Sequence, residues 1–279
     1  MSLFVPVKWY FLILEREGVM RDLELDLELA ELKIADLDNE YRKLYQNSNE
    51  PLEHILSNFN FRDKKILSVL ASSDQLFSFY ALGATDVDTF DCNPLAEYYY
   101  YLRKCCLDQR GTLEPYLYSN QELLSMIVEE KYSDFLQFWK ELLERYPDLM
   151  NSPLFYPRTT TSYRPFDGKE EELELPEEVS FTCQNIFKPI VSYEKYDVIY
   201  LSNVLDQGKD NSLKLRVCRD NLNALLCSSG IVICTNLGSG RHSLEKNIFS
   251  DCFLFFEGKE EYNSVTQKID SPYYVYQKK

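Results

Sequence analysis

Between residues 66 and 107 the chain alternates short apolar runs with helical stretches, and this alternation limits the possible fold more than any other feature. Ile66-Leu67-Ser68-Val69-Leu70 is an apolar run closed by small polar residues, as a strand buried on both faces reads. Residues 77–82 continue as a helix that stops at Gly83, a residue suited to the left-handed end of a helix. Val87-Asp88-Thr89-Phe90 forms a second strand ending at Asp91, and Asn93-Pro94 opens a second helix through Leu107, with the proline where a first turn tolerates it. Strand, helix, strand, helix in this order predicts a parallel sheet with helices on its faces. Strand signals return over 179–182, 196–201 and 230–235, with a helix over 211–226, and 119–150 reads as helical. Residues 253–256 and 273–276 read as an antiparallel pair closing the sheet. The expected class is therefore α/β: a Rossmann-like sheet, mostly parallel, with an antiparallel edge at its C-terminal end.

Two further segments frame that unit. Leu23, Leu27, Ala30, Ile34, Leu37, Tyr41 and Leu44 follow one another at alternating spacings of four and three, a heptad seam that predicts a helix over residues 20–45. Such a helix either packs on its own domain or offers its seam to a second copy or a partner protein. Residues 1–58 are read as an N-terminal helical extension and 59–279 as the sheet domain. Residues 152–178 form an insertion that carries Pro153, Pro157, Pro165 and Pro176; loops of this length are usually lids or functional segments.

Composition narrows the function classes. A formal net charge of −15 over 279 residues argues against nucleic-acid or anionic-membrane binding, which draws affinity from clustered Lys and Arg. The apolar stretch Trp9-Tyr10-Phe11-Leu12-Ile13-Leu14 is too short to span a bilayer and lacks the basic flank of a signal peptide. None of the eight cysteines forms a Cys-x-x-Cys pair, and His54 and His242 are the only histidines, so no metal site is expected. Thiols in apolar runs suit a reducing compartment, and the expected location is cytoplasmic.

In open α/β sheets ligands bind at the carboxyl ends of the strands. The first strand delivers Ala71-Ser72-Ser73-Asp74-Gln75 to that edge, and the second delivers Asp91, 20 positions after Ala71. A carboxylate at this spacing suits a ribose diol, because it can accept from both hydroxyls. Asp91 also suits a helix N-cap, assisted by Asn93. The run Tyr98-Tyr99-Tyr100-Tyr101 cannot share one helix face, so some of these rings are expected in the core and others at a surface or cleft. Arg241 and His242, after Gly238-Ser239-Gly240, read either as contacts to an acidic acceptor or as a surface loop. No Gly-x-Gly-x-x-Gly turn stands where a nicotinamide dinucleotide would need it.

These motifs resemble the S-adenosylmethionine-dependent diacylglycerol 3-amino-3-carboxypropyltransferase-like proteins, within the class I methyltransferase superfamily. The resemblance lies in residues 66–75, in Asp91-Cys92-Asn93, in Tyr196-Asp197-Val198-Ile199-Tyr200-Leu201-Ser202-Asn203-Val204-Leu205-Asp206, and in the helix with Phe135, Phe138 and Trp139. It covers roughly residues 60–240. It implies a class I methyltransferase-like sheet and S-adenosylmethionine as cofactor. By the same carry-over, Ala71, Ser72, Ser73 and Asp74 cradle the methionine part, with Gln75 and Asn93 completing the cofactor-binding set. Asp91 takes the ribose, Asn185 faces the adenine, and Ser202, Asn203 and Asp206 face the transferred group and the acceptor. The implied reaction moves a methyl or 3-amino-3-carboxypropyl group to a small or lipid-like acceptor, with Asp206 or Asp74 as candidate base. A non-catalytic relative acting through the N-terminal helix is the alternative. One departure stands out: Ala71 and Ser73 occupy places where the resembled proteins have glycine, which serves backbone of positive φ or close approach to a ligand.

Overall fold

The computed structural model describes residues 22–35, 43–48, 50–127, 133–156, 164–190, 192, 194–202, 204–208, 211–235, 247–258 and 273–279. The terminal patch 9–14, Leu37 and Tyr41 of the seam, Asn203, Arg241 and His242 lie outside these residues.

The first helix, α1 (Leu23–Ile34), begins at Asp22, whose side chain accepts from the Leu25 N–H. It is followed by β1 (Leu44–Tyr45) and α2 (Leu52–Leu56). The parallel unit starts with β2 (Lys65–Val69), α3 (Asp74–Ala81), β3 (Asp86–Asp91) and α4 (Leu95–Arg110). Then come α5 (Asn120–Met126), α6 (Ser133–Arg145), β4 (Phe155–Tyr156), β5 (Ser180–Cys183), β6 (Tyr196–Ser202), α7 (Ser212–Leu225), β7 (Leu226–Thr235), β8 (Phe253–Gly258) and β9 (Tyr273–Lys278). Seven strands form one sheet in the order β5-β3-β2-β6-β7-β9-β8. The pairs β2–β3, β2–β6, β3–β5 and β6–β7 are parallel, while β9 runs antiparallel to both β7 and β8. The expected mostly parallel sheet with an antiparallel C-terminal edge is what forms. Among the described residues no helix is long and apolar enough to cross a membrane.

The N-terminal residues differ from expectation in one respect. The seam does not run as helix to residue 45: α1 closes at Ala35, and Leu44 and Tyr45 instead pair in parallel with Phe155 and Tyr156. Tertiary contact overrides the heptad pattern here, because Leu44 is buried and the Tyr45 ring stacks on Tyr156 with centroids 4.4 Å apart. Over residues 23–34 the seam is taken up by the chain's own packing. Leu27 and Ala30 are buried, the Tyr98 hydroxyl donates to Asp26 at 2.8 Å, and Arg145 on α6 meets Glu31 at 2.6 Å. Leu44, Leu52, Ile55 and Leu56 belong to the same core as the strands, so packing is continuous across residue 58.

All four tyrosines of the 98–101 run are buried, none at a cleft. Helix α4 is covered on every side, which is how a helix buries successive residues. Tyr98 meets α1, the Tyr99 hydroxyl donates to the Gln46 carbonyl, Tyr100 stacks on Phe77, and Tyr101 stacks on Phe135 at 3.8 Å.

Between β5 and β6 the described residues contain no crossover helix, and one side chain holds the connection instead. Asn221 on α7 donates to the Ile186 and Lys188 carbonyls at 2.8 and 2.7 Å and accepts from the Ile190 N–H at 3.1 Å. Asn221→Leu leaves these buried and half-buried backbone groups without that partner, and each fully buried group costs about 1–3 kcal/mol. The expected result is a loss of roughly 2–4 kcal/mol in urea unfolding, read as a lower midpoint at unchanged slope.

Candidate functional site

The carboxyl ends of β2, β3, β5 and β6 open into a cavity of about 320 Å³. Val69 and Phe90 line it from the strands, with Ala71 beyond β2. Asp91, Cys92 and Asn93 line it at the end of β3, Asn185 to Phe187 beyond β5, and Ser202 and Val204 at the end of β6. The remaining wall comes from outside the sheet: Lys43, Leu44 and Tyr45 from the N-terminal segment, and Tyr156 from the insertion. The paired strands β1 and β4 thus place two stacked tyrosines against the strand ends. Burial, then Tyr156, Asp91 and Glu50, push the Tyr45 hydroxyl up to about 12, so it is neutral and donates.

Asp91 plays two parts at once. Its Oδ2 accepts from the Ala71 N–H and its Oδ1 from the Asn93 N–H, both at 2.9 Å, which ties the turn after β2 to the start of α4. Asn93 Oδ1 accepts in turn from the Leu95 N–H at 3.1 Å. These bonds order the loop before α4 but are not its cap: the N-cap is Pro94, without a side-chain capping bond, so the expected N-cap role of Asp91 is not what forms. The Cys92 N–H and thiol also bond the Asp91 carboxylate, which lines the cavity at the end of β3. Burial pushes the Asp91 carboxyl above the usual carboxylate range, against the pull of the Asn93 and Ala71 N–H groups. Beyond β5, Asn185 Oδ1 accepts from the Phe187 N–H at 2.9 Å.

The turn after β2 adopts the conformation that the two missing glycines foreshadow. Ala71 has φ 45°, Ser73 has φ 72° and Ser202, at the end of β6, has φ 54°, all left-handed. Ser73 begins α3 without a capping bond, and its buried Oγ has no hydrogen-bond partner. Of the five turn residues only Ala71 lines the cavity; Ser72, Ser73, Asp74 and Gln75 are buried beneath it.

Asp74 lies in a buried ionic cluster. Arg103 on α4 donates to Asp74 Oδ1 at 2.8 Å, to the Ser72 carbonyl, and to the Leu113 carbonyl at 2.7 Å. Arg164 of the insertion reaches Asp74 Oδ1 at 3.3 Å and also pairs with Glu114 and Asp167. The Ser48 N–H and Ser72 Oγ donate to Asp74 Oδ2. Burial alone would raise this carboxyl, but Arg103, Arg164 and the Ser48 N–H outweigh it and hold Asp74 below the usual range. An anion so held is a poor proton acceptor, and its place in the site is to shape the turn. Asp206 lies on the short helical turn Val204–Gln207 after β6, and its side chain is outside the described residues.

One residue missed in the sequence is Glu50. It follows the seam without any motif around it, yet its buried carboxylate gathers Gln75, Tyr200, Ser202 and Thr235 from three different elements. Only the long-range pairing of the sheet brings those four donors together.

Numbered from β2 onward, the strands of the large sheet run 3-2-1-4-5-7-6, the Rossmann-like arrangement of class I methyltransferases. Among solved structures, the chain is similar to an N-methyltransferase, NodS, from Bradyrhizobium japonicum WM9 in complex with S-adenosyl-l-homocysteine. Identity is 10%, coverage is 91% of this chain and 98% of that one, and the TM-score is 0.39. A TehB-like SAM-dependent methyltransferase from Corynebacterium glutamicum matches at 10% identity over 84% of this chain and 90% of that one, with a TM-score of 0.42. Magnesium protoporphyrin IX methyltransferase from Synechocystis, with bound SAM, matches at 10% over 97% and 91%, with a TM-score of 0.39. No family model matches the chain, and no curated protein sequence does.

Two outcomes follow from the turn. Ala71→Gly and Ser73→Gly are each expected to stabilise the fold by about 0.5–1 kcal/mol in thermal unfolding, because glycine relieves left-handed strain that exceeds its entropy cost. Asp74 has a depressed folded pKa, so its ion pairs contribute fully above the unfolded value of about 4, and the contribution is lost as pH falls through the lower folded value. Unfolding midpoints measured downward from pH 5 should fall below that point in the wild type, and Arg164→Gln should flatten the decline.

Proposed function

We propose that this cavity binds S-adenosylmethionine and that the chain transfers a methyl group from it to a small-molecule or lipid-like acceptor. The observation that carries the reading is Asp91. A carboxylate at the end of the second parallel strand, bonded to the turn after the first and lining a nucleoside-sized cavity, suits a ribose diol. The residues present fit the cofactor part by part. Asn185, Ile186 and Phe187 would wall the base, Asp91 would hold the ribose beside Asn93, and the backbone around Ala71 would meet the methionine part. Ser202, Asn203 and Asp206 follow β6 and would face the acceptor, with Asp206 as the proposed proton acceptor. Ser72, Ser73, Asp74 and Gln75 support this site from beneath.

The bound cofactor supplies an activated sulfonium, so the protein contributes alignment, exclusion of water and a place for one proton. Tyr45 and Tyr156 cover the strand ends and keep water from the sulfur. Ser202 presents its hydroxyl at the acceptor side, held from behind by Glu50. Transfer of a 3-amino-3-carboxypropyl group from the same cofactor is the narrower reading that the motifs around Ser202 suggest. A non-catalytic relative of this fold is the second reading, favoured by the side chain of Ala71, which projects a methyl from left-handed backbone at the cavity wall.

Isothermal titration with S-adenosylmethionine and S-adenosylhomocysteine tests the reading. Wild type is expected to bind both, and Asp91→Ala to bind at least about tenfold more weakly, the loss of roughly one charge-assisted hydrogen bond. Affinity should also weaken on acidification at a higher pH than an ordinary aspartate near 3.9 would give, because burial raises Asp91 and protonation removes an acceptor. No heat from wild type with either ligand at about 1 mM contradicts the proposal. Binding without turnover across alcohol, amine and thiol acceptors favours the non-catalytic reading.

A further inference from the structure

Among the described residues, the buried Glu50 carboxylate has no cationic partner. Its Oε1 accepts from Ser202 Oγ at 2.6 Å and from Thr235 Oγ1; its Oε2 accepts from Tyr200 Oη at 2.9 Å and Gln75 Nε2 at 3.3 Å. Both oxygens have donors within reach, so the pocket can hold a carboxylate, and among the described residues Glu50 forms no ion pair. Burying a charge this way is costly, and four donors aimed at it offset that cost without neutralising it. Structural needs alone do not call for a charge here. Three hydroxyls and an amide at the ends of β6, β7 and α3 can bond to one another or to a neutral acceptor.

The charge sits one hydroxyl behind the cavity, because Ser202, whose Oγ donates to Glu50, itself lines the wall. Asp91 stands on the same cavity from the β3 side. Its bonds are to the Ala71, Cys92 and Asn93 N–H groups and the Cys92 thiol, and among the described residues it forms no ion pair. Among the lining residues the opposing charge is Lys43, at the mouth, with Nζ 6.0 Å from the Tyr156 ring centroid. The Tyr45 hydroxyl, also on the wall, is raised in part by both Asp91 and Glu50, so the two carboxylates act on the same space.

We infer that Glu50 is a specificity-determining residue: its uncompensated charge behind Ser202 makes the cavity prefer a cationic ligand, the sulfonium, over the neutral thioether left after transfer. The inference rests on the cofactor reading above. It adds that the site distinguishes donor from spent product by field rather than by contact, which promotes product release. Coulomb attraction at the short range of a cavity wall, in the intermediate dielectric of a partly enclosed site, is large enough to show as a change in relative affinity.

The test is the ratio of dissociation constants, S-adenosylhomocysteine over S-adenosylmethionine, measured by titration for the full chain and for two variants. Glu50→Gln keeps the shape and most of the bonding while removing the charge; the ratio is expected to fall about five- to tenfold. Lys43→Gln, at the cavity mouth, removes the opposing charge, and the ratio is expected to rise. A purely structural role for Glu50 weakens both ligands equally and leaves the ratio unchanged, which overturns the inference while the cofactor reading stands. If wild type binds neither ligand, the cofactor reading fails and takes the inference with it. Should Glu50→Gln not fold, the near-isosteric neutral Glu50→Met takes its place: the same fall in the ratio supports the inference, and an unchanged ratio rejects it.

Discussion

The bond between Asp74 and Arg103 is the constraint on which the site depends. Both side chains are fully buried, and the cluster around them joins four parts of the chain that share no sequence neighbourhood. Arg103 reaches from α4 to the Ser72 carbonyl and so sets the turn after β2. Asp74 receives the Ser48 N–H and so fixes the segment that carries Tyr45. Arg164 brings the insertion to the same carboxylate and to Glu114. A buried pair of this kind is worth little over a well-packed apolar one, but removing one partner strands a charge and costs several kcal/mol. Its value here is positional: it holds Ala71 and Ser73 in left-handed backbone without the glycines that would make this easy.

From that anchor the cavity follows. The parallel strands bring Ala71, Asp91, Asn185 and Ser202 to one edge, as any sheet of this winding does. What individualises this chain is the cover. A short strand from the N-terminal segment pairs with a short strand from the insertion, and their stacked tyrosines lie over the strand ends. Neither segment forms such a wall alone. Asn221 then secures the connection that carries Asn185 to Phe187, so that wall of the cavity is fixed by three bonds to one side chain.

Much of the sheet is legible in the sequence because its signals are local. Apolar runs closed by Ser, Gly or Asp mark the strands, Gly83 and Asn93-Pro94 mark helix ends, and the spacing from Ala71 to Asp91 places a carboxylate at the cavity wall. The positive φ at Ala71 and Ser73 is likewise foreshadowed by the glycines of the resembled motif. Features set by distant contacts are not legible. Leu44 continues the heptad pattern perfectly well, yet joins a strand because Phe155 and Tyr156 offer a partner 111 positions away in the register Leu44 to Phe155. Four consecutive tyrosines become core only because α1, α6 and the insertion surround α4. Asp74 reads as a candidate base in the sequence, which does not show the two arginines that hold it in the fold, and Glu50 carries no motif at all.

The cavity between Asp91, Ala71 and Asn185 is proposed to hold S-adenosylmethionine through its ribose. A crystal structure of the chain soaked with S-adenosylhomocysteine tests it most directly. The expected result is density for the nucleoside in this cavity, with the ribose hydroxyls within hydrogen-bond distance of the Asp91 carboxylate and the base beside Asn185 to Phe187. Clear density for the ligand elsewhere on the molecule, with Asp91 bonded only to Ala71 and Asn93, would contradict it.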